Sequence, residues 1–262
     1  MATILDTIAA YAKIRVEEAK KTLPLAEIKE QALAMNCITG FPFEKALCNG
    51  DISFICECKK ASPSKGVIAE DFPYLTIAKE YEAAGASCIS VLTEPKWFLG
   101  SNNYLQEIAQ AVSIPCIRKD FTVDEYMIYE AKLLGAGAVL LICSLLPQEI
   151  LQRYIRICDS LGLSALVEAH DEQEITAAVS AGARIIGVNN RNLKDFTVDI
   201  HNSGNLRGLV PESVLFVAES GIRTAADIDA LRKANVNAVL IGETLMRAAD
   251  KKAMLDELRR VP

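Results

Sequence analysis

Apolar residues recur along the chain in short runs of about strand length, and segments with a helical spacing of apolar residues separate most of these runs. Segments 123–134 and 148–161 show that helical spacing. Strands that alternate with helices are typical of parallel βα units. The pattern predicts eight strands, at residues 52–58, 87–92, 114–118, 138–142, 164–168, 184–189, 215–218 and 238–241.

Turn and cap residues mark the ends of several predicted helices. Gly-Ala pairs precede three predicted strands, at Gly85, Gly135 and Gly182, and glycine can adopt the left-handed conformation that ends a helix. A side-chain oxygen can satisfy the first free amides of a helix. Such starts are predicted at Thr122 with Glu125, Asp171 with Glu174, and Thr224 with Asp227.

Eight βα units in this length of chain favour an α/β fold, a closed (β/α)8 barrel, over an open doubly wound sheet. No G-x-G-x-x-G follows the first predicted strand, so nothing indicates a dinucleotide site. Residues 1–50 precede that strand and predict an N-terminal helical extension of two helices around Pro24. The extension is expected to cap the barrel bottom or to flank its mouth. We therefore predict one barrel domain over residues 1–262.

Composition and charge narrow the class of protein. The chain has 262 residues, of which 51% are hydrophobic and 24% charged, so it can bury a large core and is not a disordered sequence. Its apolar runs are far shorter than the ~20 residues that cross a bilayer. Residues 11–21 mix charged and apolar positions, unlike a secretion signal, so we expect a cytoplasmic protein. The net charge of -6 disfavours nucleic acid as a partner.

The cysteines and histidines give no indication of a metal site. Eight cysteines are scattered through the apolar runs, which favours buried, reduced thiols over disulfides. Cys56 and Cys58 form a C-x-C without a second pair, and His170 and His201 are the only histidines. No spacing resembles a zinc site, so no metal is expected.

Polar residues end nearly every predicted strand, which is where (β/α)8 barrels carry their active sites. Strand alternation places Glu57 and Lys59 on one face and Cys56 and Cys58 on the other. Taken alone, Glu57 and Lys59 could be an ion pair that only lines the barrel. The charge pattern repeats at other strand ends, however, and burying several charges is costly unless they pair or act on a ligand. The remaining strand-end residues are Lys119, Glu168, Asn189, Arg191 and Glu219.

The last two strands lead into residues suited to bind phosphate. Ser220-Gly221 follows the seventh predicted strand, and Gly242-Glu243 follows the eighth and opens a short helix. The amides and dipole of a helix N-terminus hold an anion without a net positive charge on the protein. Ser62, in the first loop, could add a hydroxyl group. A small phosphorylated molecule is therefore the expected substrate.

Seven ordered segments of the chain resemble the indole-3-glycerol phosphate synthase family. Seven matches on successive strands are far more specific than any one motif. They are ECKKASPSKG at 57–66, SVLTE at 90–94, RKDF at 118–121, LVE at 166–168, GVNNRNL at 187–193, AESGI at 218–222 and IGETLM at 241–246.

The resemblance implies an enzyme that closes the ring of 1-(2-carboxyphenylamino)-1-deoxyribulose 5-phosphate, with loss of carbon dioxide and water and without a cofactor. By this analogy Lys119 is a general acid on the ribulose carbonyl, and Lys59 is the partner of the anthranilate carboxylate. Glu168 and Glu57 would move protons during dehydration, and Asn189 and Arg191 would orient the substrate. The apolar wall around the aromatic ring would comprise Pro63, Phe98, Phe121, Leu140 and Leu193.

Two positions depart from the family pattern, and two alternatives stay open. Pro95 stands where the family usually has an acidic residue, and Glu243 stands where a small hydroxyl residue is common. Only the amide of Glu243 is then expected to contact phosphate. A phosphosugar aldolase that forms a Schiff base on Lys59 or Lys119, or a noncatalytic barrel that binds a phosphorylated metabolite, would also fit. The sequence indicates neither partner proteins nor an oligomeric state.

Overall fold

Eight parallel strands form a closed barrel in the computed structural model, which describes residues 3–192 and 196–260. Each strand pairs with the next along the chain, and the eighth pairs with the first. The predicted (β/α)8 barrel is confirmed, and every strand end lies within two residues of its prediction. The strands are β1 (Ser53–Cys58), β2 (Cys88–Leu92), β3 (Cys116–Lys119), β4 (Ala138–Ile142), β5 (Ser164–Ala169), β6 (Ile185–Asn189), β7 (Leu215–Glu219) and β8 (Ala238–Ile241).

Helices surround the barrel and precede it. The N-terminal helices are α1 (Ile4–Thr22), α2 (Leu25–Ala34) and α3 (Pro42–Ala46). A two-stranded hairpin, Ala61–Ser62 with Gly66–Val67, lies in the loop after β1, and a 3₁₀ turn, Cys143–Leu145, follows β4. The outer helices are α4 (Tyr74–Ala83), α5 (Asn102–Ala111), α6 (Tyr126–Leu133), α7 (Gln148–Ser160), α8 (Glu172–Ser180), α9 (His201–Arg207), α10 (Ala225–Lys233), α11 (Glu243–Arg247) and α12 (Lys251–Arg259).

Strand alternation divides the apolar core into two layers. Inward residues such as Ile55, Ile117 and Leu166 fill the barrel, whereas outward residues pack against the helices. Cys56 and Cys58 belong to the outer layer and are fully buried there, which confirms the predicted parity of β1. Because Glu57 lies between them in sequence, its side chain faces the barrel interior.

The N-terminal extension contacts both ends of the barrel. Ile4 and Ile8, in the first turns of α1, line the cavity at the mouth. Phe43 and Leu47 are fully buried in the inner core layer, and Phe43 lies beside Gly137, just before β4, so α3 covers the opposite end. The predicted helices around Pro24 are α1 and α2, while the short α3 was not predicted. The division into a 1–50 extension and a single domain stays a prediction.

Two of the three predicted helix caps are confirmed. The side chains of Asp171 and Thr224 accept hydrogen bonds from first-turn amides of α8 and α10. The predicted cap at Thr122 is wrong, because α6 begins only at Tyr126. Asp124 Oδ1 accepts from the Tyr126 amide at 2.8 Å, so Asp124 rather than Thr122 supplies the side-chain acceptor where the helix begins.

The cysteines are free, as predicted, but they are not all buried. All eight lie in the described part of the chain, where none is paired, and five are fully buried. Cys37 and Cys143 are half-buried, and Cys48 is exposed. Burial raises the pKa of Cys56 to about 12, so this thiol is inert at neutral pH.

Among residues 3–192 and 196–260, no helix is long and apolar enough to cross a membrane. In the same residues, no group of three or more histidine, cysteine or acidic side chains is arranged to hold a metal ion.

Glycine is required at Gly162 for two reasons, and we expect Gly162→Ala to lower the free energy of unfolding by about 2–5 kcal/mol. Its φ of +67° is left-handed, and an added Cβ would lie 2.3 Å from the carbonyl oxygen of Cys37. Gly182 is the matched control, because its φ is +86° but nothing lies within 4 Å of an added Cβ. Gly182→Ala should cost only about 1–2 kcal/mol. Equal urea midpoints for the two variants would contradict the role of the Cys37 contact.

Candidate active site

A cavity of about 590 Å³ opens at the carboxyl ends of the barrel strands. Every predicted site residue that the structure describes lines it. Leu193 lies outside the described residues. The cavity is lined by Glu57, Lys59, Ser62, Pro63, Phe98, Lys119, Phe121, Leu140, Glu168, Asn189, Arg191, Glu219, Ser220, Gly221, Gly242 and Glu243.

Lys119 ends β3 and lies between two buried carboxylates. Its Nζ is 3.4 Å from Glu168 Oε2 and 3.3 Å from Glu219 Oε2. Gly187 of β6 leaves the space for this arrangement, because a Cβ there would lie 2.3 Å from Glu219 Oε1. Burial disfavours the ammonium, but the carboxylates of Glu219, Glu168 and Glu57 outweigh burial and raise the pKa of Lys119 above its ordinary value.

The two carboxylates beside Lys119 are in different surroundings. Burial raises the pKa of both, but Lys119, His170 and Asn189 stabilise the Glu168 carboxylate and lower its pKa below the ordinary value. For Glu219, burial and the nearby charges of Glu168 and Glu57 outweigh the effect of Lys119, so its pKa is raised. Two carboxyl groups with opposite shifts are typical of acid–base sites.

Glu57 and Lys59 form an ion pair at the end of β1. The Ser90 hydroxyl donates to Glu57 Oε2 at 3.3 Å. Burial opposes ionisation of Glu57, but Lys59 and Lys119 outweigh it and lower its pKa. Gly242 lets the pair approach the last strand, since a Cβ there would lie 2.5 Å from Glu57 Oε1.

Asn189 connects the end of β6, and the Arg191 that follows it, to Glu168. Asn189 Nδ2 donates to Glu168 Oε1 at 3.4 Å, and its Oδ1 accepts from the Arg191 amide at 3.0 Å. The Arg191 guanidinium donates to the Phe196 carbonyl at 3.3 Å. One amide therefore orients Glu168 and the loop that carries Arg191.

The predicted phosphate residues lie together on one side of the mouth. Ser220 adopts a φ of +66°, which is uncommon for a residue with a side chain, and Gly221 follows at +86°. Asn190, buried behind them, donates to the Ser220 carbonyl at 3.1 Å and holds this turn. Such held, sparsely populated conformations concentrate at functional sites.

Glu243 opens α11 on the same side of the mouth, and its carboxylate forms ion pairs with two cationic side chains. Arg247 Nε lies 3.1 Å and Lys65 Nζ 3.7 Å from Glu243 Oε1. Lys65 belongs to the hairpin loop after β1. The carboxylate is thus paired with side chains that line the same cavity, and the backbone amide of Glu243 stays available to an anion.

Aromatic side chains form part of the cavity wall. The rings of Phe98 and Phe121 lie 5.9 Å apart between centroids. Glu94 accepts hydrogen bonds from the amides of Lys96, Trp97 and Phe98, at 2.9, 2.7 and 3.0 Å. The carboxylate therefore fixes the loop that presents Phe98, and Pro95, which has no amide hydrogen to donate, lies within that loop.

A second buried ionic cluster lies beside the site, around Asp120, which also lines the cavity. Arg15 of α1 makes two hydrogen bonds to Asp120, at 2.7 and 3.1 Å. Thr93 donates to Asp120 at 2.6 Å, and Arg118, which is 2% exposed, lies 3.7 Å from it. The cluster ties the N-terminal extension to the residue that follows Lys119.

Sequence reasoning missed several of these residues, although the signals were present. His170 lies two residues beyond Glu168, so strand parity places it on the same side. Arg118 precedes Lys119 on β3 and has the opposite parity, which directs it outward. Asp120 follows the end of the strand and also lines the cavity. Asn190 and Glu94 lie inside the matched motifs, but nothing in the sequence shows which loop amides and carbonyls they bind.

Comparisons with known proteins agree with this geometry. The family model for indole-3-glycerol phosphate synthase matches residues 5–258. The chain belongs to the indole-3-glycerol phosphate synthase family. An indole-3-glycerol phosphate synthase of Ruminiclostridium cellulolyticum is 60% identical over 256 residues, which cover 98% of each chain. One from Endomicrobium trichonymphae is 54% identical, over 98% of this chain and 99% of the relative.

Solved structures of other proteins share the barrel. A thiamine phosphate pyrophosphorylase from Pyrococcus furiosus matches with a TM-score of 0.60 at 16% identity, over 80% of this chain and 95% of that one. A mandelate oxidase matches with a TM-score of 0.58 at 18% identity, over 79% of this chain and 70% of that one. At such identities the likeness shows only the fold that this indole-3-glycerol phosphate synthase family member adopts.

Proposed function

We propose that this chain closes the indole ring of 1-(2-carboxyphenylamino)-1-deoxyribulose 5-phosphate and forms indole-3-glycerol phosphate, carbon dioxide and water. The match of residues 5–258 to the family model carries the proposal. The proposal includes a cytoplasmic location and chemistry by side chains alone, without a cofactor or a metal ion.

Lys119 assists ring closure in this proposal. The ring carbon of the substrate attacks the ribulose carbonyl, and negative charge develops on the carbonyl oxygen. The buried ammonium of Lys119 donates to that oxygen, where a preorganised charge acts more strongly than water. The raised pKa of Lys119 keeps it protonated until the oxygen becomes basic.

The remaining steps release carbon dioxide and water. Lys59 neutralises the substrate carboxylate, whose loss as carbon dioxide restores the aromatic ring. Lys59, ion-paired with Glu57, donates a proton to the hydroxyl group, which leaves as water, and Glu168, ionised beside Asn189, accepts the proton that the new ring loses. Arg191 positions the substrate, and Phe98 and Phe121 contact its ring.

The aldolase alternative is disfavoured by the surroundings of Lys119. A Schiff base requires a neutral amine, and such lysines have a lowered pKa. Three carboxylates raise the pKa of Lys119 instead. Borohydride in the presence of substrate should therefore leave Lys119 and Lys59 unlabelled.

The proposed reaction is tested by incubating the purified chain with the synthetic substrate and following indole fluorescence. Formation of indole-3-glycerol phosphate, with one equivalent of carbon dioxide, is the expected result. Tight binding of substrate without turnover would favour the noncatalytic barrel, and a borohydride-trapped adduct would favour the aldolase.

Removing the Glu243 carboxylate should strengthen binding of the substrate phosphate. In Glu243→Gln, Arg247 and Lys65 lose their carboxylate partner and become free to approach the anion. An exposed ion pair is worth up to about 1 kcal/mol, so KM should fall about 2- to 5-fold at low salt while kcat stays constant. Asp229→Asn, which breaks the remote pair with Lys233, is the matched control for net charge. An unchanged or raised KM would count against a phosphate at α11.

A further inference from the structure

His170 connects the candidate general base to the outside of the barrel. It follows β5 directly, and its Nε2 lies 3.4 Å from Glu168 Oε1. That Nε2 is shielded from solvent and has no hydrogen-bond partner of good geometry among the described residues. When the ring is protonated, this nitrogen is therefore within ion-pair distance of the carboxylate that the proposed reaction uses as a base.

The other side of the imidazole is fixed by Glu174 of α8. Glu174 Oε2 lies 2.9 Å from His170 Nδ1 and accepts from the His170 amide at 2.8 Å. The Glu174 amide in turn donates to Asp171 Oδ1 at 2.9 Å. The ring therefore cannot turn away from Glu168 without losing the contact between Nδ1 and Glu174.

The groups that face His170 come from four elements. Glu168 faces it from β5, and Glu174 from α8. Cys143, in the 3₁₀ turn after β4, contacts the Glu174 carbonyl through its Sγ at 3.5 Å, and Asn202 of α9 donates to the His170 carbonyl at 3.4 Å. Burial disfavours the charged ring, but Glu168 and Glu174 outweigh burial and raise the pKa of His170 to about 10.

The two carboxylates on Lys119 differ in how their oxygens are satisfied. Glu168 has Lys119 at Oε2 and both Asn189 and His170 at Oε1. Glu219 Oε1 is buried and has no hydrogen-bond partner in the described part of the chain. Of the two carboxylates, Glu219 is therefore the one that a proton occupies at the lower free energy, since an ionised oxygen without a partner is poorly stabilised.

We propose that His170 is a positioning residue whose imidazolium, held by Glu174, keeps Glu168 ionised and places the proton of the buried carboxylate pair on Glu219. This inference rests on the proposed function, in which Glu168 is the base. Without the imidazolium, the two carboxyl groups share the proton more evenly, and part of Glu168 is protonated until the pair loses its proton at higher pH.

The pH dependence of kcat/KM tests the proposal. In wild type, Glu168 should be ionised across about pH 6 to 9, so its protonation gives no acid limb there. His170→Gln should acquire an acid limb, with activity relative to wild type about tenfold lower at the acid end than at the alkaline end. His170→Lys, which restores a positive charge, should largely remove that limb.

A merely structural role for His170 predicts a different result. Activity of His170→Gln would then fall by the same factor at every pH, and His170→Lys would be no better, which would overturn the proposal. His201→Gln is the matched control, because His201 is exposed at the start of α9 and should leave the profile unchanged.

NMR tests the charge of His170 without relying on the reaction. The chain has two histidines, so His201→Gln assigns both imidazole signals. His170 should remain protonated at about pH 7 to 8, and Glu174→Gln should move its deprotonation to lower pH. A neutral His170 at pH 7 would overturn the proposal. Wild-type protein that forms no indole product but has a charged His170 would refute the proposed function instead.

Discussion

Lys119→Met is expected to lower kcat by about 10²- to 10⁴-fold or more, the contribution of a positioned general acid. Methionine keeps much of the aliphatic stem but removes the ammonium that lies within 3.4 Å of both Glu168 and Glu219. The developing oxyanion of the substrate then has no buried cation at this position. Single-turnover formation of indole-3-glycerol phosphate, followed by fluorescence, measures the loss without product release.

The same substitution at another buried lysine is the matched control. Lys132 of α6 is 6% exposed, and its Nζ donates to the Asn36 carbonyl at 2.7 Å, away from the cavity. Lys132→Met should change the urea midpoint but not kcat. In Lys119→Met the stability cost is limited because Glu219 can take up a proton. Near-normal kcat with a large drop in the urea midpoint would show that Lys119 only balances carboxylates.

Asp120→Asn should lower the free energy of unfolding by about 3–5 kcal/mol, the cost of breaking a buried ion pair. The carboxylate is 1% exposed and receives Arg15 in two hydrogen bonds, with Thr93 and Arg118 beside it. An amide oxygen and NH₂ group cannot accept both guanidinium hydrogen bonds, so α1 loses its anchor. Asp51→Asn, which breaks the exposed pair with Arg232, should cost less than about 1 kcal/mol.

The Asp120 contribution also has a predictable pH dependence. Burial raises the pKa of Asp120, but Arg15 and Arg118 outweigh burial and lower it below the ordinary value. The resulting stabilisation is fully present above the ordinary aspartate pKa and is lost as pH falls through the lowered value. The difference in urea midpoint between wild type and Asp120→Asn should therefore be constant near neutral pH and shrink in acid. A difference that grows in acid would contradict this linkage.

Much of the barrel could be predicted from the sequence, because strands and helices bury their apolar residues with different periods. The eight strands were predicted to within two residues, and the parity of Cys56 and Cys58 placed Glu57 inside. The helix that begins at Tyr126 was predicted too early, because Thr122 and Asp124 are both plausible caps and only the folded loop decides between them.

The polar residues at the strand ends could also be predicted to line one site, since the carboxyl ends of parallel strands meet at one mouth. Their positions in the sequence could not show which of them are charged. Glu168 and Glu219 are the same residue type in similar strand positions, yet their pKa values shift in opposite directions. That difference arises from His170 and Asn189, which reach Glu168 but not Glu219 in the fold.

The sequence by itself determined the barrel, the ring of polar residues at its mouth and the family, because periodicity and ordered motifs are local properties of the chain. Only the tertiary structure decided that Arg15 anchors at Asp120, 105 residues away, and that His170 and Lys119 converge on Glu168. Coulomb and desolvation energies depend on distances between side chains that are remote in sequence. Those distances exist only once the barrel has closed.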